Sequence, residues 1–274
     1  MNAVGSADEL TVYPDFDGMG VTLGLDYRVA DALLAGVAIS YADQDGDFDN
    51  SVSRIKTKGF TGSAYASLDT RDWKVDTQLS AGQRDYSLAR QVAYSANGVS
   101  VNETARASFN GVDVTAGLRI RKPILTGATS LEAVVGGTAI LSEIDSYQET
   151  GAKGFNLAVD DQSNHFVYGE AGLKAGQDFR TRVGTFGIRM DGLYTLNSGS
   201  GSRRLSAGFV ADPLSRRTIM ITSGDDNDND YFSLGLGFTA QLDAGWTLDA
   251  GYRTILGLRN TDLEMVTLSL RSRF

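Results

Sequence analysis

Hydrophobic and polar residues alternate with a period of two along most of the chain. The apolar positions of residues 18–28 are Met19, Val21, Leu23, Leu25 and Tyr27, with glycine, threonine or aspartate between them. Ten further segments repeat the pattern with varying clarity: 32–42, 58–68, 72–86, 111–121, 128–142, 164–178, 184–196, 230–242, 246–254 and 264–274. Because strand side chains point alternately to two faces, the pattern predicts β-strands with one apolar and one polar face.

The length of the predicted strands indicates a membrane protein. They run for about 10–16 residues, whereas strands of globular proteins average about 5–6 and a tilted bilayer-spanning strand needs about 9–11. Short connections (29–32, 69–72, 122–128, 179–183, 243–245) alternate with long ones (43–57, 87–105, 143–163, 197–229). Short periplasmic turns and long outer loops are typical of outer-membrane barrels. The sequence therefore predicts an all-β fold, a transmembrane antiparallel up-and-down β-barrel.

The strand count depends on where the two ends lie. If Phe274 is periplasmic, one more strand must precede segment 18–28, and a short strand at Glu9–Tyr13 gives twelve. The apolar stretches Leu205–Ala211 and Thr218–Ile221 are either an outer hairpin or two more wall strands, which would give fourteen. We expect a linker or short first strand at 1–17 and the barrel at 18–274.

Composition narrows the function classes. The 274 residues carry a net charge of −9 and no cysteine, which excludes a disulfide scaffold and a thiolate zinc site and argues against nucleic acid as a partner. The sequence contains no apolar run of about 18 residues, so it predicts no transmembrane helix. A mean hydropathy of −0.16 still fits a membrane barrel, because lipid-facing and lumen-facing residues alternate and average out.

The polar faces, which include Glu132 and Arg273, carry charges of both signs, and the barrel interpretation places these charges in the lumen. The predicted lining residues are Asp26, Arg28, Lys74, Asp76, Asp113, Arg119, Arg121, Glu170, Lys174, Arg189, Asp191, Asp249, Arg253 and Arg271. A lysine or arginine facing lipid costs about 2–4 kcal/mol at the bilayer midplane, so these side chains must face water or each other. They form either a hydrated lining that a polypeptide slides past or paired charges that brace a wide barrel.

Aromatic residues on the apolar faces predict a girdle at the membrane interfaces. Trp73 and Trp246 sit beside short turns, Tyr27 falls at the same level, and Tyr252 lies toward the other interface. The last strand alternates cleanly, with Val266, Leu268, Leu270 and Phe274 on its apolar face.

Two features invite a chemical interpretation, and both have a simpler one. His165 is the only histidine, and an exposed position fits it better than catalysis in an outer-membrane hydrolase. The stretch "DQDGDFDN" (43–50) and the stretch "DDNDND" (225–230) resemble calcium loops, but the spacing of the first departs from the EF-hand pattern. We therefore expect no enzyme activity, no cofactor and no metal site.

Two long stretches resemble the C-terminal translocator domain of autotransporters, the self-secreting outer-membrane proteins of Gram-negative bacteria. The first is "GMGVTLGLDYRVADALLAGVAISYADQDGDFD", and the second runs from "SAGFVADP" through "YFSLGLGFTAQLDAGWTLDAGYRTILGLRNTDLEMVTLSLRSRF". The resemblance covers residues 18–274. It implies a twelve-stranded monomeric barrel in the cell outer membrane that exports its own N-terminal passenger. Its implied partners are that passenger, outer-membrane lipid with lipopolysaccharide, and the barrel-assembly machinery, which would recognise the C-terminal strand.

Other functions and folds stay open at this stage. A stand-alone porin or small-solute channel would show the same alternation. An outer-membrane enzyme would need His165. A soluble β-sandwich would bury residues such as Leu23, Val114 and Leu268 in a dry interior between two sheets.

Overall fold

One antiparallel sheet of eleven strands makes up most of the protein. The computed structural model describes residues 14–48, 53–96, 98–200, 204–212, 219–222, 230–242, 245–257 and 263–272. The strands of the large sheet, which we call the wall, are β1 (Pro14–Ala30), β2 (Leu33–Phe48), β3 (Arg54–Asp69), β4 (Lys74–Ala96), β5 (Val99–Leu125), β6 (Thr129–Ile144), β9 (Gln162–Thr181), β10 (Gly184–Ser200), β13 (Asp230–Leu242), β14 (Trp246–Leu256) and β15 (Leu263–Ser272). Each pairs with its neighbour in that order. All eleven strands that the alternation predicts are therefore confirmed.

A second sheet continues the wall on the side of the long connections. Its strands are β7 (Tyr147–Gln148), β8 (Leu157–Val159), β11 (Arg204–Phe209) and β12 (Ile219–Thr222), in the order β12-β11-β8-β7. β11 pairs with β12 on one side and with β8 on the other, outside the wall. The outer hairpin expected from the two apolar stretches is thus confirmed, and the alternative of fourteen wall strands is wrong. The predicted first strand at 9–13 lies outside the described residues.

The predicted loop at 87–105 is wrong. β4 and β5 continue through it and pair from Lys74↔Arg121 to Ala96↔Val99 without a register shift. Gly98 takes a φ of 80° in the turn, a left-handed value that glycine tolerates. The predicted loop at 43–57 likewise consists mostly of strand, because β2 reaches Phe48 and β3 starts at Arg54. Alternation fades here because neither face of these outer extensions meets hydrocarbon.

The apolar face of the wall is exposed. Met19, Leu23 and Leu268 are 71–78% accessible, and Val114 is exposed as well. The buried apolar side chains among the described residues are few and mostly alanine or valine. Since a sandwich would bury these same positions, the soluble β-sandwich is wrong. Among the described residues, no helix is long and apolar enough to cross a membrane.

The polar face is the concave one. The Tyr65 hydroxyl on β3 donates to Asp26 on β1, two strands away, at 3.4 Å. The Lys74 ammonium on β4 likewise lies 2.7 Å from the Glu132 carboxylate on β6, across β5. Neighbouring strands are about 4.8 Å apart, so contacts that skip a strand require side chains that converge. We call this face inward and the exposed apolar face outward.

Candidate functional site: the charged inward face

All fourteen charged residues predicted for the lumen lie on the inward face. The register places Asp76 opposite Arg119, and Lys174 opposite Asp191. These strands pair without a register shift, so every second residue of β4, β5, β9 and β10 lies on the same face as these four residues. The face assignment therefore follows from local pairing alone.

Ion pairs link strands that are not neighbours on the β4–β9 side. The Lys74 ammonium lies 2.7 Å from Glu132, and Arg121 contacts both Asp76 (2.8 Å) and Glu132 (3.5 Å). Lys74 on β4 thus reaches across β5 to β6. These three strands are held together by side chains as well as by backbone hydrogen bonds.

The same arrangement recurs further along the sheet. Arg119 on β5 bonds to Glu170 on β9 at 2.5 Å, passing over β6. Arg253 on β14 donates to both carboxylate oxygens of Asp191 on β10, at 2.8 and 3.1 Å, passing over β13. The Arg271 guanidinium lies 2.8 Å from Asp249 on the adjacent strand. The contact between Arg121 and Asp76 has the bidentate form, through Nε at 3.0 Å and Nη2 at 3.2 Å, which fixes side-chain geometry as well as charge.

Sequence reasoning missed two members of this network. Arg84 pairs with Asp113, and Asp178 lies 2.5 Å from Arg189. Arg84 and Asp178 both fall within predicted strands, at positions of inward parity. Applying the alternation to every inward position of these segments would have found them.

Lys174 and Arg28 differ from the other predicted lumen residues. Lys174 stands in register between Glu132 and Asp191, and both of those carboxylates bond to other cations. Arg28 donates to the backbone oxygen of Asp31 at 2.8 Å, beside the short turn. Most of the predicted charges therefore belong to ion pairs, whereas Lys174 stands in register with two carboxylates that are bonded to other cations.

The aromatic side chains of the predicted girdle lie on the outward face. Tyr27, Trp73, Trp246 and Tyr252 are exposed there. Trp73 and Trp246 stand beside short turns, and the Lys122 ammonium sits 4.4 Å from the centre of the Trp73 ring. Such a cation–aromatic pair suits an interface where one end of the side chain is apolar and the other wet.

Just beyond the outward apolar band, the acidic stretch at 43–47 forms an ion-pair ladder. Asp43 contacts Lys58 at 3.3 Å, Asp45 contacts Lys56 at 2.9 Å, and Asp47 contacts Arg54 at 2.6 Å on the neighbouring strand. The hydrogen bond from Arg54 lowers the pKa of Asp47 below its usual value. The resemblance to a calcium loop is therefore wrong for the first motif, because its carboxylates lie in a strand and meet cations. Within the described parts of the chain, no group of three or more acidic or histidine side chains could hold a metal ion.

The remaining predicted residues also have defined places. His165 lies exposed near the start of β9, opposite Leu141 on β6. Val266, Leu268 and Leu270 are on the outward face of β15, between 63 and 80% exposed. Phe274 lies outside the described residues.

Comparison with known proteins agrees with this architecture. The family model described as "Autotransporter beta-domain" matches residues 3–253. No curated protein sequence matches the chain.

Three solved structures share the fold. The translocator domain of autotransporter NalP from Neisseria meningitidis is 17% identical, with a TM-score of 0.74, and the match covers 97% of this chain and 83% of that chain. The β domain of the Bordetella autotransporter BrkA is 18% identical, with a TM-score of 0.64 and coverages of 95% and 92%. The transport unit of the autotransporter AIDA-I from Escherichia coli is 13% identical, with a TM-score of 0.66 and coverages of 95% and 84%.

Nothing in these comparisons favours the stand-alone channel. Because the family match spans most of its length, the chain belongs to the autotransporter β-domain family and is an outer-membrane translocator domain.

Proposed function

We propose that this domain exports its own N-terminal passenger through a water-filled lumen lined by the inward face. The observation that carries the proposal is the two-sidedness of the wall. Large apolar side chains such as Leu25 and Leu268 are exposed on the outward face, while ion-paired charges occupy the inward one. That arrangement is stable only with hydrocarbon outside and water inside.

The inward face suits a moving polypeptide. Its carboxylates and guanidinium groups are already bonded to each other, as in the pairs Arg119–Glu170 and Arg253–Asp191. A passing segment therefore meets a hydrated surface of both signs, without an extended apolar patch to hold it. The same ion pairs brace a wall that has no packed core, so bracing and lining are compatible roles. The proposal requires no catalytic residue, cofactor or metal.

We propose that residues before β1 close the barrel as a monomer. β1 and β15 each have one wall partner among the described residues, and in an eleven-stranded antiparallel order these two strands run in the same direction. One strand antiparallel to both would satisfy their free backbone groups, as a closed barrel in lipid requires. Residues 9–13, with part of the segment before them, are our candidate for that strand.

The export test uses an epitope joined to residue 1 by a flexible linker of about 20 residues, behind a signal peptide. Because the closing strand would start at the periplasmic end, the linker must span the lumen, and about 20 extended residues at about 3.3 Å each exceed the membrane thickness of about 40–45 Å. We expect external protease to remove the epitope from intact cells that carry the folded domain. A matched control places the same epitope after residue 274, at the periplasmic end of the last strand, where protease should not reach it. A protected N-terminal epitope on a domain that is folded, by its heat-dependent gel mobility, would contradict the proposal.

We propose that β15 is also the element by which the assembly machinery recognises the domain. An unpaired strand offers a row of backbone donors and acceptors to a partner strand, and β15 has such an edge among the described residues. Deleting Phe274 should slow membrane assembly in cells while leaving folding into lipid vesicles unchanged. Equal losses in both assays would instead assign Phe274 to barrel stability alone.

We propose that the outward ladder on β2 and β3 contacts lipopolysaccharide headgroups. Its three ion pairs span four residues, which is about 14 Å along the strand and about 10 Å in depth for a strand tilted by about 45°. A phospholipid headgroup layer is only about 5–8 Å deep. A phosphorylated saccharide layer is deep enough to cover all three pairs. Replacing Lys56 and Lys58 by glutamine should weaken binding to lipopolysaccharide vesicles more than to phospholipid vesicles, and an equal effect on both would refute the assignment.

A further inference from the structure

A short segment folds into the outer opening of the wall. We call residues 149–156, between β7 and β8, the mouth loop; it contains one 3-10 turn, Lys153–Phe155. It lies against the outer ends of β4 and β5, where the unbroken register puts Arg90 and Ala105 on the inward face with Asp76 and Arg119. Ala105 on β5 and Ala152 in the mouth loop are both completely buried. The loop therefore covers the inward side of the wall rather than extending away from the membrane.

A buried ion pair holds the loop in place. The Arg90 guanidinium donates to both carboxylate oxygens of Glu149, at 2.8 and 2.6 Å, and also to the backbone oxygen of Phe155 at 3.0 Å. Glu149, only 3% exposed, also accepts the backbone N–H of Leu157 at 2.8 Å. One carboxylate thus ties both ends of the loop to β4, and we call this contact the latch.

Weaker contacts surround the latch. The Phe155 ring meets Tyr94 edge-on, with centroids 5.5 Å apart. Lys153, 79% exposed at its side chain, contacts Glu103 on β5 at 2.5 Å.

The completely buried apolar residues at this site, Ala105 and Ala152, are small and bury little area, so polar contacts do most of the holding. Thr150 is tied to β5 by two backbone hydrogen bonds with Arg106, and Asn156 accepts the backbone N–H of Val210. Residues 151–155, between these ties, can therefore lift while the backbone pairing of the wall stays intact.

We propose that the mouth loop is a movable closure of the outer opening, docked by the Arg90–Glu149 latch and displaced when a polypeptide occupies the exit. It lies on the face that lines the lumen, at the end reached by the long connections, so docking narrows the path and release widens it. The inference rests on the proposed function only in taking the inward face as a water-filled lumen.

Ion conductance of the domain in planar lipid bilayers tests the closure without any passenger. Glu149→Gln removes the charge of the latch, and Glu103→Gln makes the same chemical change at the exposed contact of the same loop. We expect a several-fold rise in conductance for Glu149→Gln and none for Glu103→Gln. Ala152→Trp, which overfills the buried docking position and keeps both latch charges, should reproduce the rise.

Two readouts keep the outcome decisive. Heat-dependent gel mobility verifies that each variant folds, and trypsin cleavage at Lys153 reports whether the loop has lifted. A folded Glu149→Gln or Ala152→Trp variant that trypsin cuts faster, yet conducts like the unaltered domain, would overturn the closure. An export defect in cells with the expected conductance changes would count against the proposed function and leave the closure standing.

Discussion

An arginine placed at the middle of the outward face gives a direct test of the two-sided wall. Leu173 is the central outward position of β9 between Phe179 and Val167, and half of its surface is exposed. Facing lipid at the midplane, Leu173→Arg should cost about 2–4 kcal/mol, or about 30-fold to several hundred-fold in the folding equilibrium. The cost arises because the guanidinium must leave water for hydrocarbon.

Depth and face provide the controls. Val167 is six residues away, which is about 14 Å in depth for a strand tilted by about 45° and close to the edge of a hydrocarbon layer about 30 Å thick. Val167→Arg should therefore cost only about 0–1 kcal/mol. Gln78 faces inward and donates to Ser80 at 2.8 Å, so Gln78→Arg should stay within about 1 kcal/mol because its charge meets water.

The assay is reversible unfolding in lipid vesicles with guanidinium chloride. Gel mobility follows the folded fraction, and the fluorescence of the two tryptophans follows membrane insertion. Equal costs for arginine at Leu173, Val167 and Gln78 would refute the assignment of lipid to the outward face. A Leu173→Ala cost of about 2–5 kcal/mol, the size expected when a cavity opens in a dry interior, would refute it in a different way.

Two further predictions concern packing and charge. A Cβ at Gly36 would lie 2.4–2.7 Å from ring atoms of Tyr65, whereas one at Gly169 meets nothing within 4 Å. Gly36→Ala should therefore destabilise the domain by about 1–3 kcal/mol in the same assay, and Gly169→Ala should not. Equal unfolding midpoints for the two variants would contradict this prediction. The hydrogen bond from Arg54 lowers the pKa of Asp47. The contribution of this ion pair to folding stability is therefore fully present above the usual aspartate pKa of about 3.9, and it is lost as the pH falls through the lowered pKa. An NMR titration should find the Asp47 midpoint below about 3.9 and return it there in Arg54→Gln, and a native midpoint at or above that value would refute the pairing.

Alternation predicted the wall because the membrane acts on each strand separately. Hydrocarbon outside and water inside impose the same rule on every second residue, so Leu23 and Asp26 can be assigned without knowing which strands are neighbours. The inward placement of all fourteen predicted charges follows from that rule. It also places Arg84 and Asp178, whose positions have the inward parity of their predicted strands.

The outer parts could not be predicted in this way. Beyond the hydrocarbon both faces are wet, so β4 and β5 lose the apolar signal and their extensions were expected to be loops. The latch is a stronger example, because Arg90 and Glu149 are 59 residues apart. Each falls within a predicted long connection, and no local pattern distinguishes a buried carboxylate there from a solvated one.

The sequence by itself determined the all-β class, the antiparallel order of the wall and the face on which each wall side chain lies. These depend on neighbouring residues and on the solvent that each face meets. The tertiary structure alone decided which charges pair, as in Arg119 with Glu170 and Arg253 with Asp191 across an intervening strand. It also decided that the mouth loop folds inward. Such contacts depend on the curvature of the whole sheet, which brings distant side chains together and leaves no periodic trace in the chain.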